Sequence, residues 1–293
     1  MLLLTGATGL VGSTLLTRLL AEGSDVRCLV RDPRRLGSQR VRVQIALGDL
    51  TDPPSFRNAL RGVDTVIHLA ASIRDQPNGS IEELNGIATW RMVEAAERQG
   101  VERFVFFSAL GASTHHRTRC LRAKALAEQA VREADLETIV FAPSIVYAPG
   151  DPWLSLLERM AWAPLMPVSG RGRARFQPIW AEDVADCVAA SLRVANGQRH
   201  RRYELAGPQT LSHQEIVRTV VRATGRSRPL VNVPTPIISR SLRLLERAMG
   251  SRAPATWDEA ELMEVSMLSS RGTADAAALG VEPHEMTAVL QSA

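Results

Sequence analysis

A chain of 293 residues with 45% hydrophobic and 23% charged residues has the make-up of a soluble globular protein, either one large domain or a nucleotide domain with a smaller cap. Its net charge of +4 comes from scattered arginines with only 4% aromatics, which excludes the clustered basic stripe of a nucleic-acid-binding surface. Cys28, Cys120 and Cys187 lie too far apart for a zinc site or a disulfide framework, and no apolar run is long enough to span a membrane; neither metal, nucleic acid nor membrane is expected as a partner, and the location expected is cytoplasmic.

Leu2 to Leu4 is a short apolar run that stops at Thr5-Gly6, the pattern of a buried parallel strand. Apolar residues then fall at helical spacing from Ser13 to Ala21, and Gly23 supplies the stop. Further strands are predicted at Val26–Val30, Val41–Leu47, Thr65–Leu69, Phe104–Phe107 and Thr138–Phe141. Between them lie a helix capped by Thr51-Asp52-Pro53-Pro54 that runs to about Leu60, a long helix over Ile81–Gln99, and another over Arg119–Glu133. This alternation predicts an α/β fold: a Rossmann-type doubly wound parallel sheet. Beyond Pro143 prolines interrupt the pattern, a helix resumes at Glu182-Asp183, and two or three more lie between Leu211 and Ser270. The expected division is a dinucleotide-binding domain over 1–150 and 176–200, with a smaller, interleaved C-terminal substrate cap over 151–175 and 201–293.

The first strand and helix are joined by Thr5-Gly6-Ala7-Thr8-Gly9-Leu10-Val11-Gly12. Gly6 permits a tight turn, Gly9 lets backbone amides approach a pyrophosphate, and Gly12 lets the helix pack closely on the strand. Thr8, Leu10 and Val11 complete a helix N-terminus whose free N–H groups and partial positive charge suit an anion. Strand two ends in Arg31-Asp32-Pro33-Arg34-Arg35. Asp32 could accept from the ribose 2′-hydroxyl of NAD, but Arg31 with Arg34 or Arg35 can fork onto a 2′-phosphate, and the charge balance of this turn favours NADP(H).

The GxxGxxG spacing resembles the short-chain dehydrogenase/reductase superfamily, and further segments carry the likeness along most of the chain. Gly48-Asp49-Leu50-Thr51-Asp52 resembles the segment that contacts adenine, which implies Asp49 accepting from its amino group. Val66-Ile67-His68-Leu69-Ala70-Ala71 resembles the strand that lies against the cofactor. Asn85 falls at the family's helix asparagine, and Phe141-Ala142-Pro143 opens a segment similar to the one near the nicotinamide. The likeness is to the atypical extended subgroup, with NmrA-like proteins and relatives of a complex I accessory subunit. It implies cofactor contacts at Gly6, Thr8, Gly9, Leu10, Val11, Gly12, Arg31, Arg34, Arg35, Asp49, Leu50, Ala70, Ala71, Lys124 and Pro143.

The family's reaction centre is a serine, a tyrosine and a lysine, with Tyr-x-x-x-Lys on one helix face. Lys124 matches the lysine, and it is the only lysine among 35 basic residues. A compact ammonium set beneath a ribose is not readily replaced by a planar guanidinium, which argues for a cofactor role over a surface one. Cys120 stands in the tyrosine's place, and its thiol is too short to reach where a phenol would; it is read as pocket lining rather than as an acid. The serine position falls on Leu110, which leaves Ser108 at the strand end as a backbone-bonding residue more than a proton donor. His115 and His116, in the loop before the helix, and Ser72, after strand four, are the other candidates, against readings as exposed loop histidines and a turn cap.

Hydride transfer needs only the reduced cofactor and a held carbonyl. Without the serine and tyrosine, the alkoxide would take its proton from water or from a phenol on the substrate itself, a pattern that resembles an angucyclinone polyketide ketoreductase. Trp153, Met160, Trp162, Met166, Phe176, Trp180, Trp257, Met263 and Met267 crowd into the cap, either as walls for a flat aromatic ketone or quinone-like substrate or as the cap's own core. The expected activity is NADPH-dependent reduction of a ketone. The alternatives are a non-catalytic NADP(H) sensor or scaffold of the NmrA type, and a sugar-nucleotide epimerase or dehydratase, which would also need a tyrosine.

Overall fold

The computed structural model describes residues 1–194, 198–250 and 253–292. Strand β1 (Leu2–Thr5) is followed by helix α1 (Leu10–Ala21), β2 (Val26–Val30), β3 (Gln44–Leu47), a short α2 (Pro53–Phe56) and β4 (Thr65–His68). Helix α3 (Ala88–Arg98), β5 (Arg103–Phe107), α4 (Arg119–Glu133) and β6 (Glu137–Pro143) continue the alternation. Neighbouring residues on these strands point to opposite faces, and both faces are apolar. Leu4, Ile67 and Val105 therefore meet α1 and α6 (Ala181–Arg193) on one side, while Leu3, Val66 and Phe104 meet Met92 of α3 and Val131 of α4 on the other.

A seventh strand, β11 (His200–Leu205), joins the sheet beside β6, and the order is β11-β6-β5-β4-β1-β2-β3 with every pair parallel. Its sequence, His-Arg-Arg-Tyr-Glu, hides it from a hydrophobicity reading. It is an edge strand whose charges find partners: Arg201, buried, pairs with Glu137, and Arg202 reaches Glu128 at 3.0 Å. The sheet thus runs past residue 200, where the sequence division begins the cap. The chain also returns to the first core late, through Ala276 and Leu279 at α10 (Ala274–Ala278).

The remaining elements form the cap. They are β7 (Val146–Tyr147), α5 (Pro152–Met160), β8 (Met166–Ser169), β9 (Arg175–Phe176), β10 (Ile179–Trp180), β12 (Leu211–Ser212), α7 (His213–Ala223), β13 (Leu230–Val233), α8 (Thr235–Met249), α9 (Trp257–Leu262) and α11 (Met286–Ser292). Three two-stranded pairs, β7 with β10, β9 with β12 and β8 with β13, hold this layer together. Met166, Phe176 and Met267 are buried in its core, with Trp153, Met160, Trp180 and Met263 packed against them, so most of the large apolar residues read as possible pocket walls are core. Trp162 is the opposite, 72% exposed.

Beneath the carboxyl ends of β1 and β4 runs a buried chain of hydrogen bonds. Thr5 Oγ1 lies 2.9 Å from His68 Nδ1, His68 Nε2 lies 3.1 Å from Thr89 Oγ1, and the Thr89 hydroxyl donates to the Asn85 carbonyl at 2.7 Å. Since Thr89 spends its proton on Asn85, it accepts from Nε2–H, and Nδ1 accepts from Thr5. The imidazole is neutral, and burial pushes its pKa from 6.5 down to about 3. Asn85 sits in a π-helical turn, Glu83–Ile87, where the sequence predicted unbroken α-helix. The wider turn lets its amide donate to Ser72 O at 2.7 Å and to Ile81 O at 2.8 Å while accepting from Ser72 N.

Because the unfolded chain protonates this histidine near pH 6.5 and the folded one does not until about 3, stability falls as pH drops through that window. His68 contributes a slope of about 1.4 kcal/mol per pH unit there. His213, held down to about 4 by burial, contributes a second such slope. Urea unfolding of His68→Gln at a series of pH values is expected to show lower stability at neutral pH but a shallower acid loss by one such slope; an unchanged slope would refute the neutral-histidine assignment.

Candidate cofactor and active site

The strand order reverses at β1, which has β2 on one side and β4 on the other, and a crevice opens beyond the carboxyl ends of these strands. It encloses about 640 Å³. Of the residues expected to hold a cofactor, Gly6, Thr8, Gly9, Arg31, Arg35, Asp49, Leu50, Ala70 and Ala71 line it, as does Ser72. Leu10, Val11 and Gly12 lie behind them in the first turn of α1. Arg34 is outside the groove, and its backbone N–H donates to Asp32.

The groove has the form of a dinucleotide cradle. Gly6 has φ +73°, and a Cβ there would sit 2.6 Å from the Ala70 amide nitrogen; at Gly12 it would sit 2.0 Å from Gly6 O. Neither position accepts a side chain. Helix α1 starts at Gly9 without a side-chain cap, leaving its first N–H groups to an anion. Asp32 also lines the groove, and one oxygen of its carboxylate accepts from the Arg34 N–H at 3.0 Å. Burial raises the Asp49 carboxyl, but hydrogen bonds from Thr51 and Asn78 and the charge of Arg31 outweigh it and hold the group below the usual carboxylate range.

Sequence reasoning missed Leu29, Val30, Gln76 and Leu84 on the walls. Leu29 and Val30 were accessible in principle, because they end a strand beside the reversal point. Gln76 was not, because its place depends on the turn that pairs it with Gly79.

Lys124, Cys120, Ser108, His115, His116 and Pro143 stand away from this groove wall. Lys124 is buried on α4, donates to the Phe107 carbonyl at the end of β5 over 2.5 Å, and lies 5.1 Å from the Phe106 ring centre. Burial lowers its pKa from 10.5 to about 8, with the neighbouring Cys120 pulling weakly the other way. Cys120 is buried in the cap-side core, which raises its thiol pKa and leaves it an apolar lining group. The Ser108 hydroxyl is tied to Glu128 at 2.6 Å, a carboxylate rather than the backbone partner expected for it. Ser72 donates to the Arg74 carbonyl at 2.5 Å, which is the turn-cap reading.

His115 is exposed, its ring beside the Thr114 hydroxyl and its backbone N–H donating to Ser113 Oγ, while His116 Nδ1 accepts from Thr118 N ahead of α4. Burial first, then Arg117, holds the His116 ring below the ordinary histidine range. Pro143 is buried, and its carbonyl accepts from Leu110 N at 2.9 Å. Tyr147, passed over in the sequence, is fully buried in the same apolar cluster as Cys120, with no partner for its hydroxyl among the described residues and a pKa raised by burial.

An ionic clasp also escaped the sequence reading. Arg119 binds Glu82 at 2.7 Å and Asp75 at 3.0 Å and lies 3.6 Å from Asp258 of α9, and Arg74 holds Glu259 and the Ala253 carbonyl. It joins the loop after Ser72 to the cap. No spacing rule links Arg74 to Glu259, 185 residues away.

A model of NAD(P)H-binding domains matches residues 6–159, just over half of the chain. The chain belongs to this NAD(P)H-binding family. Its cofactor is NAD(P)H, and the family is of oxidoreductase type. The chain is 34% identical over 277 residues to sterol demethylase protein B of Methylococcus capsulatus, covering 85% of this chain and 82% of that one. It is 29% identical over 240 residues to ceramide reductase of Caulobacter vibrioides, covering 80% and 73%. It is also 30% identical over 243 residues to the mitochondrial NADH dehydrogenase [ubiquinone] 1 alpha subcomplex subunit 9 of Arabidopsis thaliana, covering 79% of this chain but 60% of that protein's length. In fold it is similar to an NADPH-dependent quinone oxidoreductase of Escherichia coli complexed with NADPH, with a TM-score of 0.78 at 15% identity over 100% of this chain and 99% of the other. None of these four names is that of a polyketide ketoreductase. Among the described residues no helix is long and apolar enough to cross a membrane.

With a pKa of about 8, Lys124 loses its proton in a range where an ordinary lysine keeps it. If its ammonium holds the cofactor, NADPH affinity is level at low pH and falls as pH rises through about 8, by up to tenfold per unit. Fluorescence titration of NADPH across that range checks this. Lys124→Met is expected to bind more weakly and to lose the pH dependence; a variant that keeps the same profile would remove Lys124 from the site.

Proposed function

We propose that the protein is an NADPH-dependent reductase that transfers hydride to a carbonyl of a bulky, apolar substrate, with the proton supplied by that substrate or by water. The observation that carries this reading is the pairing of a buried cationic Lys124 with a helix α4 that carries no tyrosine. Ser108 is committed to Glu128, Cys120 is a buried thiol, and His116 is held by the turn before α4. When bound, the reduced nicotinamide supplies the hydride; Lys124 would hold the ribose beside it, and the glycine loop the pyrophosphate. An apolar substrate is supported by the names of relatives, a ceramide reductase and a sterol demethylase protein, while a quinone-like or aromatic polyketide-like carbonyl rests on the sequence reading alone. A cytosolic setting belongs to the same reading and rests on the sequence.

NADPH is proposed over NADH because two cations at the end of β2, Arg31 and Arg35, line the groove against the single carboxylate of Asp32 there, one oxygen of which accepts from the Arg34 N–H. Wild type should bind NADPH at least about tenfold more tightly than NADH, since a charge-assisted fork onto a phosphate is worth roughly 1.5–3 kcal/mol. Arg31→Ala should remove most of that difference, and equal wild-type affinities for the two cofactors would end the proposal.

Turnover is tested with a panel of aromatic ketones and quinones. A ketone with an adjacent phenol should be reduced, its methyl ether should lose orders of magnitude in kcat with a smaller change in binding, and Cys120→Ala should stay within about tenfold of wild type. Equal rates for phenol and methyl ether would move the acid to the protein, with Tyr147 the first residue to replace. Tight NADPH binding with no oxidation by any member of the panel would favour the sensor or scaffold reading, which the missing acid and the complex I subunit relative also support. The epimerase reading is disfavoured by the absence of a tyrosine on α4.

A further inference from the structure

Helix α8 is 15 residues long, and none of them is buried. Its apolar residues are nonetheless arranged as for packing. Ile238, Leu242 and Leu245 are half-covered, on the side where Glu246 accepts from the Trp257 N–H and Arg243 lies 5.6 Å from the Trp257 ring centre. Ile237 and Leu244, two turns apart on one line, are 56% and 69% exposed, and Met249 at the end is 46% exposed. Arg240 and Arg247 follow Ile237 and Leu244 by three residues each, so the outward stripe alternates apolar and cationic side chains. Among the described residues of α8 the only carboxylate, Glu246, is turned towards α9. The strand that feeds the helix continues the pattern, with exposed Val231 on β13, exposed Leu165 just before its partner β8, and exposed Trp162 with the Arg226 guanidinium stacked 3.6 Å from its ring centre.

Charge selects what covers this surface. Between residues 216 and 250 there are seven arginines, Arg218, Arg222, Arg226, Arg228, Arg240, Arg243 and Arg247, against one acid, Glu246. That segment's charge, 7 − 1 = +6, exceeds the +4 of the whole chain, so the remainder is net acidic. A second copy docking face to face on the stripe would bring like charges together. An extended anionic, partly apolar surface meets both requirements, accepting the guanidinium groups at its charged layer and Ile237, Leu244 and Met249 below it. We propose that α8 and the adjoining edge of the cap form a peripheral docking face for an anionic lipid membrane, with the helix axis parallel to the surface. This departs from the absence of a membrane partner expected from the sequence, and it is independent of the reaction proposed above.

The test is co-sedimentation of the full chain with phosphatidylcholine vesicles containing about a third phosphatidylglycerol, and with pure phosphatidylcholine, at low and high salt. Wild type is expected to partition at least tenfold more strongly onto the anionic vesicles and to lose that preference at high salt. Arg240→Gln with Arg247→Gln should weaken partitioning about 30-fold. Leu244→Asp should weaken it at least about tenfold. All variants change exposed positions, and NADPH titration verifies that each is folded. Equal partitioning on both vesicle types, no partitioning at low salt, or variants that bind as wild type does would each overturn the proposal. So would a concentration-dependent dimer in sedimentation velocity that Leu244→Asp abolishes, since the occupant would then be a second copy. Binding of a labelled oligonucleotide that depends on the arginines and not on Leu244 would likewise assign the face to nucleic acid.

Discussion

The architecture depends on how closely two backbones approach at the ends of β1 and β4. Gly6 leaves no room for a Cβ against Ala70, and Gly12 leaves none against Gly6. That contact is held from below by Thr5, which binds His68 on β4 and accepts from the Ala70 N–H. Through Thr89 and Asn85 the same chain fixes the loop bearing Ser72. Both walls of the crevice are therefore tied to one set of neutral, buried hydrogen bonds, and the opening for a pyrophosphate is fixed before any charge on the ligand acts.

At the other end of the sheet, polar groups are tied to one another. Ser108 donates to Glu128, Glu128 pairs with Arg202, Arg202 with Glu204, and Ser269 donates to Glu204. This line crosses from β5 to the edge strand β11 and out to the segment that returns from the cap. It stiffens the sheet edge and takes the Ser108 hydroxyl out of circulation. Among the described residues Lys124 has no ion-pair partner; its ammonium donates to one carbonyl and faces a ring. A group so placed responds strongly to any anion or dipole brought near it, because little solvent screens the interaction.

Much of this was legible in the sequence where one physical requirement acts locally. The glycine spacing, the doubly apolar strands and helix α4, predicted over Arg119–Glu133 and found there, follow from sterics and periodicity. What escaped depends on long-range pairing. β11 reads as polar because its charges are neutralised by Glu128 and Glu137, far away in sequence. The π turn at Asn85 exists because a side chain must reach Ser72, and nothing in the local pattern calls for it. The tryptophans and methionines of the cap could not be divided between core and pocket by composition alone. The arginines of α8 looked scattered along the chain because helical spacing, three or four apart, separates in sequence what it aligns in space.

The concentration of every other basic side chain into guanidinium has a chemical corollary. Guanidinium groups do not acylate under mild conditions, so within the chain only the Lys124 side chain offers a nucleophilic amine. That amine is more basic than its burial allows it to express: with a pKa of about 8, a sizeable fraction is neutral near physiological pH, yet it is enclosed between α4 and the end of β5. Its reactivity towards an amine-directed reagent is thus gated by exposure rather than by protonation. Formation of a stable amide on a side chain is confined to a single address, and its rate reads how often that amine is exposed.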